Sequence, residues 1–259
     1  MYRILQTGRT GLDALQKKMD VISNNIANVQ TSGYKNLEVQ FEDLVYDQIA
    51  NRGVPLTDAA RDKPVEIGTG SRVKSTERNF TQGTLEEIGD PFHLAIEGEG
   101  FFGIQDANGN LLLTRDGGFT LDAQGQLVDA RGNLVSLDLY SPLWLWKDGG
   151  IGIDERGVLT GTNNEGQLVE IGRVRLYNVP DRSTLISIGN NYFTAENYYS
   201  MDDNYEERGK VRQGYLERSS VDIGKELVDM LITQRAYQIN AKSIHAADEM
   251  WGMVNQLKR

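Results

Sequence analysis

The chain has 259 residues, 39% of them hydrophobic, enough for one large domain or two to three small ones with real cores. Its 27 Lys and Arg against 37 Asp and Glu give a formal charge of −10, with no long basic run, which argues against a nucleic-acid groove or an anionic membrane surface as partner. Cysteine is absent, so disulfides and thiolate chemistry are excluded, and no apolar stretch approaches the ~20 residues that cross a bilayer.

The first element is helical. Leu5, Leu12, Leu15, Met19, Ile22, Ile26 and Val29 step by sevens, threes and fours, the apolar stripe of a coiled coil. Asn24, Asn25 and Asn28 interrupt it with poor helix formers. Gly33 is predicted to end the helix as a left-handed cap, giving an N-terminal segment of 1–35. The first thirty residues lack a basic start, an apolar run and a small-residue cleavage site, so no cleavable secretory signal is predicted.

Residues 36–64 read as an extended connector, in which "FEDLVYDQIA" suits a short helix and Gly53, Pro55 and Pro64 mark irregular chain. From 65 to 216 the pattern is that of a β-rich body of short strands and hairpins. Four stretches repeat D-x-x-G-x-L, beginning at Asp106, Asp122, Asp129 and Asp154, with the residue preferences of a type I turn followed by a strand.

The body carries several patterns that chemistry can use, and a plainer reading stands beside each. Gly98, Gly100 and Gly103 have dinucleotide-loop spacing, but run into "FFGIQ" with no helix to supply a dipole, so a bulge or close-packed strand pair is expected. The D-x-x-G repeats place Gly at the fourth position, not the sixth that a calcium loop needs. The acid pairs Glu86–Glu87, Glu97–Glu99 and Asp202–Asp203 are the material of a glycan-acting enzyme, yet with 37 acids such pairs arise by chance and solvated faces are expected. His93 and His245 lack zinc-site spacing, and no G-x-S-x-G elbow occurs. No catalytic residue, metal or cofactor is assigned.

The last element, 217–259, is a second helix. Ser219 and Asp222 suggest a capping box, and Ile223, Leu227, Met230, Gln234, Tyr237, Ala241, Ile244, Asp248 and Trp251 step by fours and threes. From Asp222 to Leu257 it would run roughly 54 Å at about 1.5 Å per residue. Leu12, Leu15, Met19, Ile22 and Ile26 with Leu227, Met230, Tyr237 and Ile244 form the expected apolar seam. Asn24, Asn25, Asn28, Gln234 and Asn240 would set its register, since a buried amide between helices demands a specific partner. The fold class is therefore α+β, with discontinuous N- and C-terminal coiled-coil helices that pair and a β-rich body inserted between them.

At this level three motifs carry a family resemblance. "LDALQKKMDVISNNIANVQTSGYK", "GEGFFGIQDANGNLLLTRDGGFTLDAQGQLV" and "GYLERSSVDIGKELVDMLITQRAYQINAKSIHAADEM" resemble, in order, the N-terminal, central and C-terminal signatures of the bacterial flagellar axial proteins: rod, hook and hook-associated proteins. Length and the stretch from "YDQIANRGVPL" onward are most similar to the distal-rod type. Ser32 stands where the family usually has proline and Ser220 where it has asparagine, while "YSPLWLWKDGG" has no counterpart.

The resemblance implies a structural subunit, not an enzyme, that self-assembles into a helical tubular polymer and transmits torque from motor to hook. The terminal helices would form an inner layer, ordering on assembly, and their amides would find partners on neighbouring copies. Implied partners are copies of the chain, neighbouring rod and hook proteins, the flagellar type III export apparatus and surrounding ring proteins, with no nucleic acid and no membrane insertion. The implied location is the flagellar basal body in the cell envelope. The alternatives are a hook or hook-associated subunit, a secreted glycan-acting enzyme, or a binding module made of the β-body alone.

Overall fold

A computed structural model describes residues 2–44, 46–48, 66–140, 151–162, 167–201 and 208–257. The stretch "SPLWLWKDGG", most of the predicted connector, and Asp202–Asp203 lie outside them. The chain divides into two compact units, one of 1–27, 37–79 and 222–259, the other of 28–36 and 80–221.

The first unit holds both helices. Helix α1 spans Tyr2–Ala27 and helix α2 spans Ile223–Leu257. They run antiparallel, since Asn240 Nδ2 donates to the Gly8 carbonyl at 3.0 Å while Asn25 Nδ2 donates to Glu226 Oε1 at 3.1 Å. Asp13 and Lys17 form the exposed i,i+4 ion pair that their spacing predicts, 3.0 Å apart. Against α1 lies an antiparallel strand pair, Leu37–Asp43 with Ser71–Arg78, extended by Tyr46–Gln48 with Glu66–Gly68.

The short helix expected in "FEDLVYDQIA" does not form where the chain is described, because Phe41–Asp43 and Tyr46–Gln48 are strands. The cause lies in "LEVQFED", whose alternation of half-buried and exposed residues suits one face of a strand pair. As a result Ser71–Arg78, expected in the β-body, belongs with the helices, and the second unit resumes at Phe80.

The cap assignments also change. Helix α1 stops at Ala27, six residues before Gly33. There Thr31 donates its N–H to the Asn28 carbonyl at 3.1 Å and its Oγ1 to Asn28 Oδ1 at 3.2 Å, closing a turn. Gly33 does have a positive φ of 66°, but a Cβ there would sit 2.6 Å from the Arg115 carbonyl carbon, so glycine is needed for a close approach inside the second unit. Asp222, not Ser219, caps α2: its Oδ1 accepts the N–H groups of Gly224 at 2.8 Å and Lys225 at 3.2 Å.

The second unit is strand-rich, and every described pairing in it is antiparallel. A nine-stranded sheet is centred on Phe101–Gln105, which pairs with Leu111–Thr114, Leu134–Val135 and Leu176–Asn178. A four-stranded sheet joins Leu137–Leu139, Leu168–Val174, Val158–Thr162 and Gly152–Ile153. All four D-x-x-G repeats are turns as predicted: Gly109, Gly125, Gly132 and Gly157 each return an N–H to the Asp carbonyl three residues back, at 2.7–3.1 Å.

Leu94, Ile96, Phe102, Ile104, Leu159 and Ile171 anchor the main core. A second cluster sets Phe80, Phe101 and Phe193 edge to face. The Gly98-Gly100-Gly103 motif belongs to this packing, since a Cβ at Gly103 would meet the Tyr177 ring at 2.3 Å.

Candidate assembly surface

In the helix pair, the face of α1 turned to α2 is made of small residues. Gly8 and Ala14 are buried, and a Cβ on Gly8 would lie 2.8 Å from Ile244 Cγ1. One on Gly11 would lie 2.6 Å from Asn240 Nδ2. These positions bring the helix axes close, leaving Leu12, Leu15, Met19 and Ile26 half-buried at the flanks. Of the expected α1 seam only Ile22, 4% exposed, lies fully inside.

On α2 the buried stripe is Glu226, Met230, Thr233, Tyr237, Asn240, Ile244 and Ala247, with the members between fully and half-buried. The predicted stripe shared Met230, Tyr237 and Ile244 but also took Leu227 and Gln234, which the structure exposes. The difference has a physical cause. The first turns of α2 are apolar over more than half of their circumference, with Lys225, Glu226, Asp229 and Thr233 on the remaining side, so two adjacent stripes share Met230 and Tyr237, and the burial of Glu226 and Thr233 decides between them.

The amides divide in the same way. Asn25 is 1% exposed and closed within its own chain, its amide pairing with the backbone of Leu37 in both directions at 2.9 Å and donating to Glu226. Asn240 is held by Gly8, and Asn28 by Thr31. Each of these three amides thus already has a partner within its own chain. Asn24 and Gln234 are exposed.

Around this corner Lys18, Ile22, Asn25, Glu38, Lys225, Glu226 and Asp229 help to line an open cavity of about 200 Å³. Burial pushes the Glu226 carboxyl above the ordinary glutamate range, against the pull of its Asn25 hydrogen bond.

Within the second unit a buried polar joint ties the segment after α1 to the strand before α2. Lys35 Nζ lies 2.6 Å from Glu217 Oε1 and 2.8 Å from the Thr81 carbonyl. Glu217 also accepts the Gly83 N–H at 2.8 Å, and Arg115 Nη1 stands 3.5 Å from its Oε2. All three side chains are at most 5% exposed. Burial lowers the affinity of Lys35 and of Arg115 for its proton, and Glu217 opposes this in both. Ser220 joins the same strap, donating its N–H to Tyr34 O at 3.0 Å and accepting the Asn36 N–H on Oγ at 3.0 Å. The Ser32 carbonyl accepts from Asn191 Nδ2 at 2.9 Å. None of these contacts was visible in the spacing, because their partners lie far apart in sequence.

The acid pairs are ordinary surface partners where described: Glu86 meets Arg218, Glu97 meets Arg212 and Glu99 meets Arg182. His245 is exposed, and among the described residues no cluster of His, Asp and Glu is placed to hold a metal.

Helix α2 leaves two apolar patches uncovered. On α2, Ile223, Leu227, Val228, Leu231 and Ile232 are 47–59% exposed, as are Met253 and Val254 near the end, at 58% and 47%. Contiguous exposed apolar surface is the usual material of protein–protein contacts. No described helix is long and apolar enough to cross a membrane.

Comparison with known sequences agrees with the motif resemblance. The family described as "Flagella basal body rod protein" matches residues 5–35. "Flagellar hook protein FlgE/F/G D1 domain" matches 95–192, and "Flagellar basal body rod FlgEFG protein C-terminal" matches 212–257. The flagellar basal-body rod protein FlgG of Buchnera aphidicola subsp. Schizaphis graminum is 37% identical over 99% of this chain and 100% of its own. The proteins of the same description from Borreliella burgdorferi and Agrobacterium fabrum are 36% and 34% identical, covering 100% and 98% of both chains.

Proposed function

The chain belongs to the flagellar basal-body rod protein family, and on that premise we propose that its copies associate through the face of α2 turned away from α1. It is a structural subunit of the flagellar rod in the basal body, not an enzyme. Full-length similarity to rod proteins favours this over a hook subunit. The family implies self-polymerisation beside neighbouring flagellar proteins.

One observation supports the assembly surface above the rest: Val228, Leu231 and Ile232 are 55–59% exposed beside a seam that is already closed inside the chain. Large apolar side chains so placed gain roughly 1.5–3 kcal/mol each when another copy covers them. In this reading the two helices form the inner layer of a tube and the strand-rich unit faces outward. Leu12, Leu15, Met19 and Ile26, half-buried at the seam's flank, add to the inter-copy contact.

The helix pair, sealed by small and polar residues, is marginal in the free subunit and gains order on assembly. The subunit reaches the growing tip through the flagellar export apparatus, where a chain without cysteine has no disulfide to obstruct threading, and ring proteins surround the finished rod.

The test is a pair of substitutions in a motile strain. Leu231→Asp abolishes swimming and stops basal-body growth at the rod, while the purified protein keeps the near-ultraviolet circular dichroism of its aromatic core. Gln238→Asp, on an exposed polar position of the same helix, swims normally. Normal motility and complete rods in Leu231→Asp overturn the assigned surface.

A further inference from the structure

Helix α2 outruns its partner. Gly8 lies beside Asn240 and Ile244, and Tyr2 is six residues earlier in α1, so equal rise places it opposite 246–250. Among the described residues, none of α1 therefore lies across from those beyond Met250. Yet the seam continues there: the stripe Tyr237, Asn240, Ile244, Ala247 extends by the same steps to Trp251 and Val254, which are 38% and 47% exposed. Among the described residues, the seam established inside the chain thus runs on past the end of α1.

At the other end of α2 stands the patch of Leu227, Val228, Leu231 and Ile232. Between the two, the exposed positions are mainly polar, with Gln234, Arg235, Gln238, Lys242 and Glu249 on the surface, and Ile239 and, next to the second patch, Met250 as the large apolar exceptions. From Leu231 to Trp251 is 20 residues, about 30 Å at helical rise. Two separate apolar patches with a polar belt between them define a register, because sliding either patch onto the belt buries charges without partners.

We propose that the overhang of α2, carrying Trp251, Met253 and Val254, seats head to tail on Leu227, Val228, Leu231 and Ile232 of the next copy. This rests on the rod reading and specifies which surface meets which. The two patches differ, so each copy keeps one of each free and growth continues along an axis. Self-pairing of either patch would close at a dimer. The occupant is a second copy because the overhang continues a seam that this chain's own helix covers, and the patch offered in return has the same aliphatic chemistry.

The absence of native cysteine makes the contact measurable by cross-linking without background. Val228→Cys with Met253→Cys in one chain, expressed as the sole copy, is oxidised in purified basal bodies and run on a denaturing gel. A ladder beyond the dimer is expected, with each single variant remaining monomeric. A double variant that assembles rods but gives no multimers overturns the proposal. So does a single variant that gives dimers, which would mean self-pairing.

Leu231→Cys with Val254→Cys repeats the test should the first pair not assemble. If neither assembles while Gln238→Cys with Lys242→Cys does, the patches are themselves required for growth, as the contact demands. Presence of the unmodified chain in purified rods, read on the same gel, checks the rod reading separately.

Discussion

The Asn25 amide holds both backbone groups of Leu37, donating from Nδ2 to its carbonyl and accepting its N–H on Oδ1, each at 2.9 Å. A side chain in the middle of the chain's opening sequence signature thus acts as a strand partner for the residue that begins the next element. The same Nδ2 reaches Glu226 on α2, so one residue joins α1, α2 and the strand pair. Asn25→Ala leaves a buried N–H, a carbonyl and a carboxyl short of partners, at a cost of about 3 kcal/mol. In thermal unfolding of the free subunit, the helix signal at 222 nm falls at a lower temperature than in the parent, while the aromatic near-ultraviolet transition is unmoved. Coincident loss of both signals would contradict the local role.

Glu217 answers two buried cations, Lys35 and Arg115, and the Gly83 N–H. Removing its charge strands both cations away from water, and breaking a buried pair in this way typically costs about 3–5 kcal/mol. Glu217→Gln is expected to lower the urea midpoint of the strand-rich unit accordingly. Lys35→Met costs less, since Arg115 and Gly83 still serve the carboxylate. The reverse order of the two variants would show that Lys35, not Glu217, is the centre of the joint.

Much of the outline was legible in sequence. The spacing gave α2 to within a residue at its start, and the four Asp-x-x-Gly turns follow from local backbone preference alone. The side on which α2 meets α1 was not, because Leu227 and Glu226 lie on neighbouring stripes and apolar periodicity prefers the leucine that the fold leaves outside. On α1 the same bias pointed to Leu12 and Leu15, whereas close packing there depends on Gly8, Gly11 and Ala14, which no hydrophobicity pattern selects. Asn25 and Lys35 stood in plain view, but their meaning lies in Leu37, Glu226 and Glu217, the latter two about two hundred residues away.

Two glycines separate helix propensity from packing. In an exposed helix, Gly→Ala stabilises by about 1 kcal/mol. Gly252, with nothing within 4 Å of a built Cβ, should follow that rule in the free subunit. Gly11 should reverse it, because its Cβ would press on Asn240 Nδ2 at 2.6 Å and displace the hydrogen bond to Gly8. Calorimetry of the two variants is expected to give shifts of opposite sign. A Gly11→Ala protein as stable as Gly252→Ala would mean that the seam is looser than the structure shows.

Glu226 makes the helix pair pH-dependent with a definite sign. Its folded carboxyl holds its proton to higher pH than in the unfolded chain, chiefly through burial, with Asp229 and Glu38 adding to the effect and Asn25 and Lys225 opposing it. Lys18, the remaining charged group lining the cavity, faces it from α1. In the window from the ordinary glutamate value up to the raised one, the folded state binds more protons. Stability therefore falls as pH rises through that window and is lowest above it. Glu226→Gln keeps an acceptor for Asn25 without the charge. The variant should unfold at higher temperature than the parent at pH 7, and the gap should close as pH is lowered toward 4 and the parent carboxyl takes up its proton. A variant less stable at pH 7, or a gap that does not change with pH, would show that the carboxylate is well served where it sits.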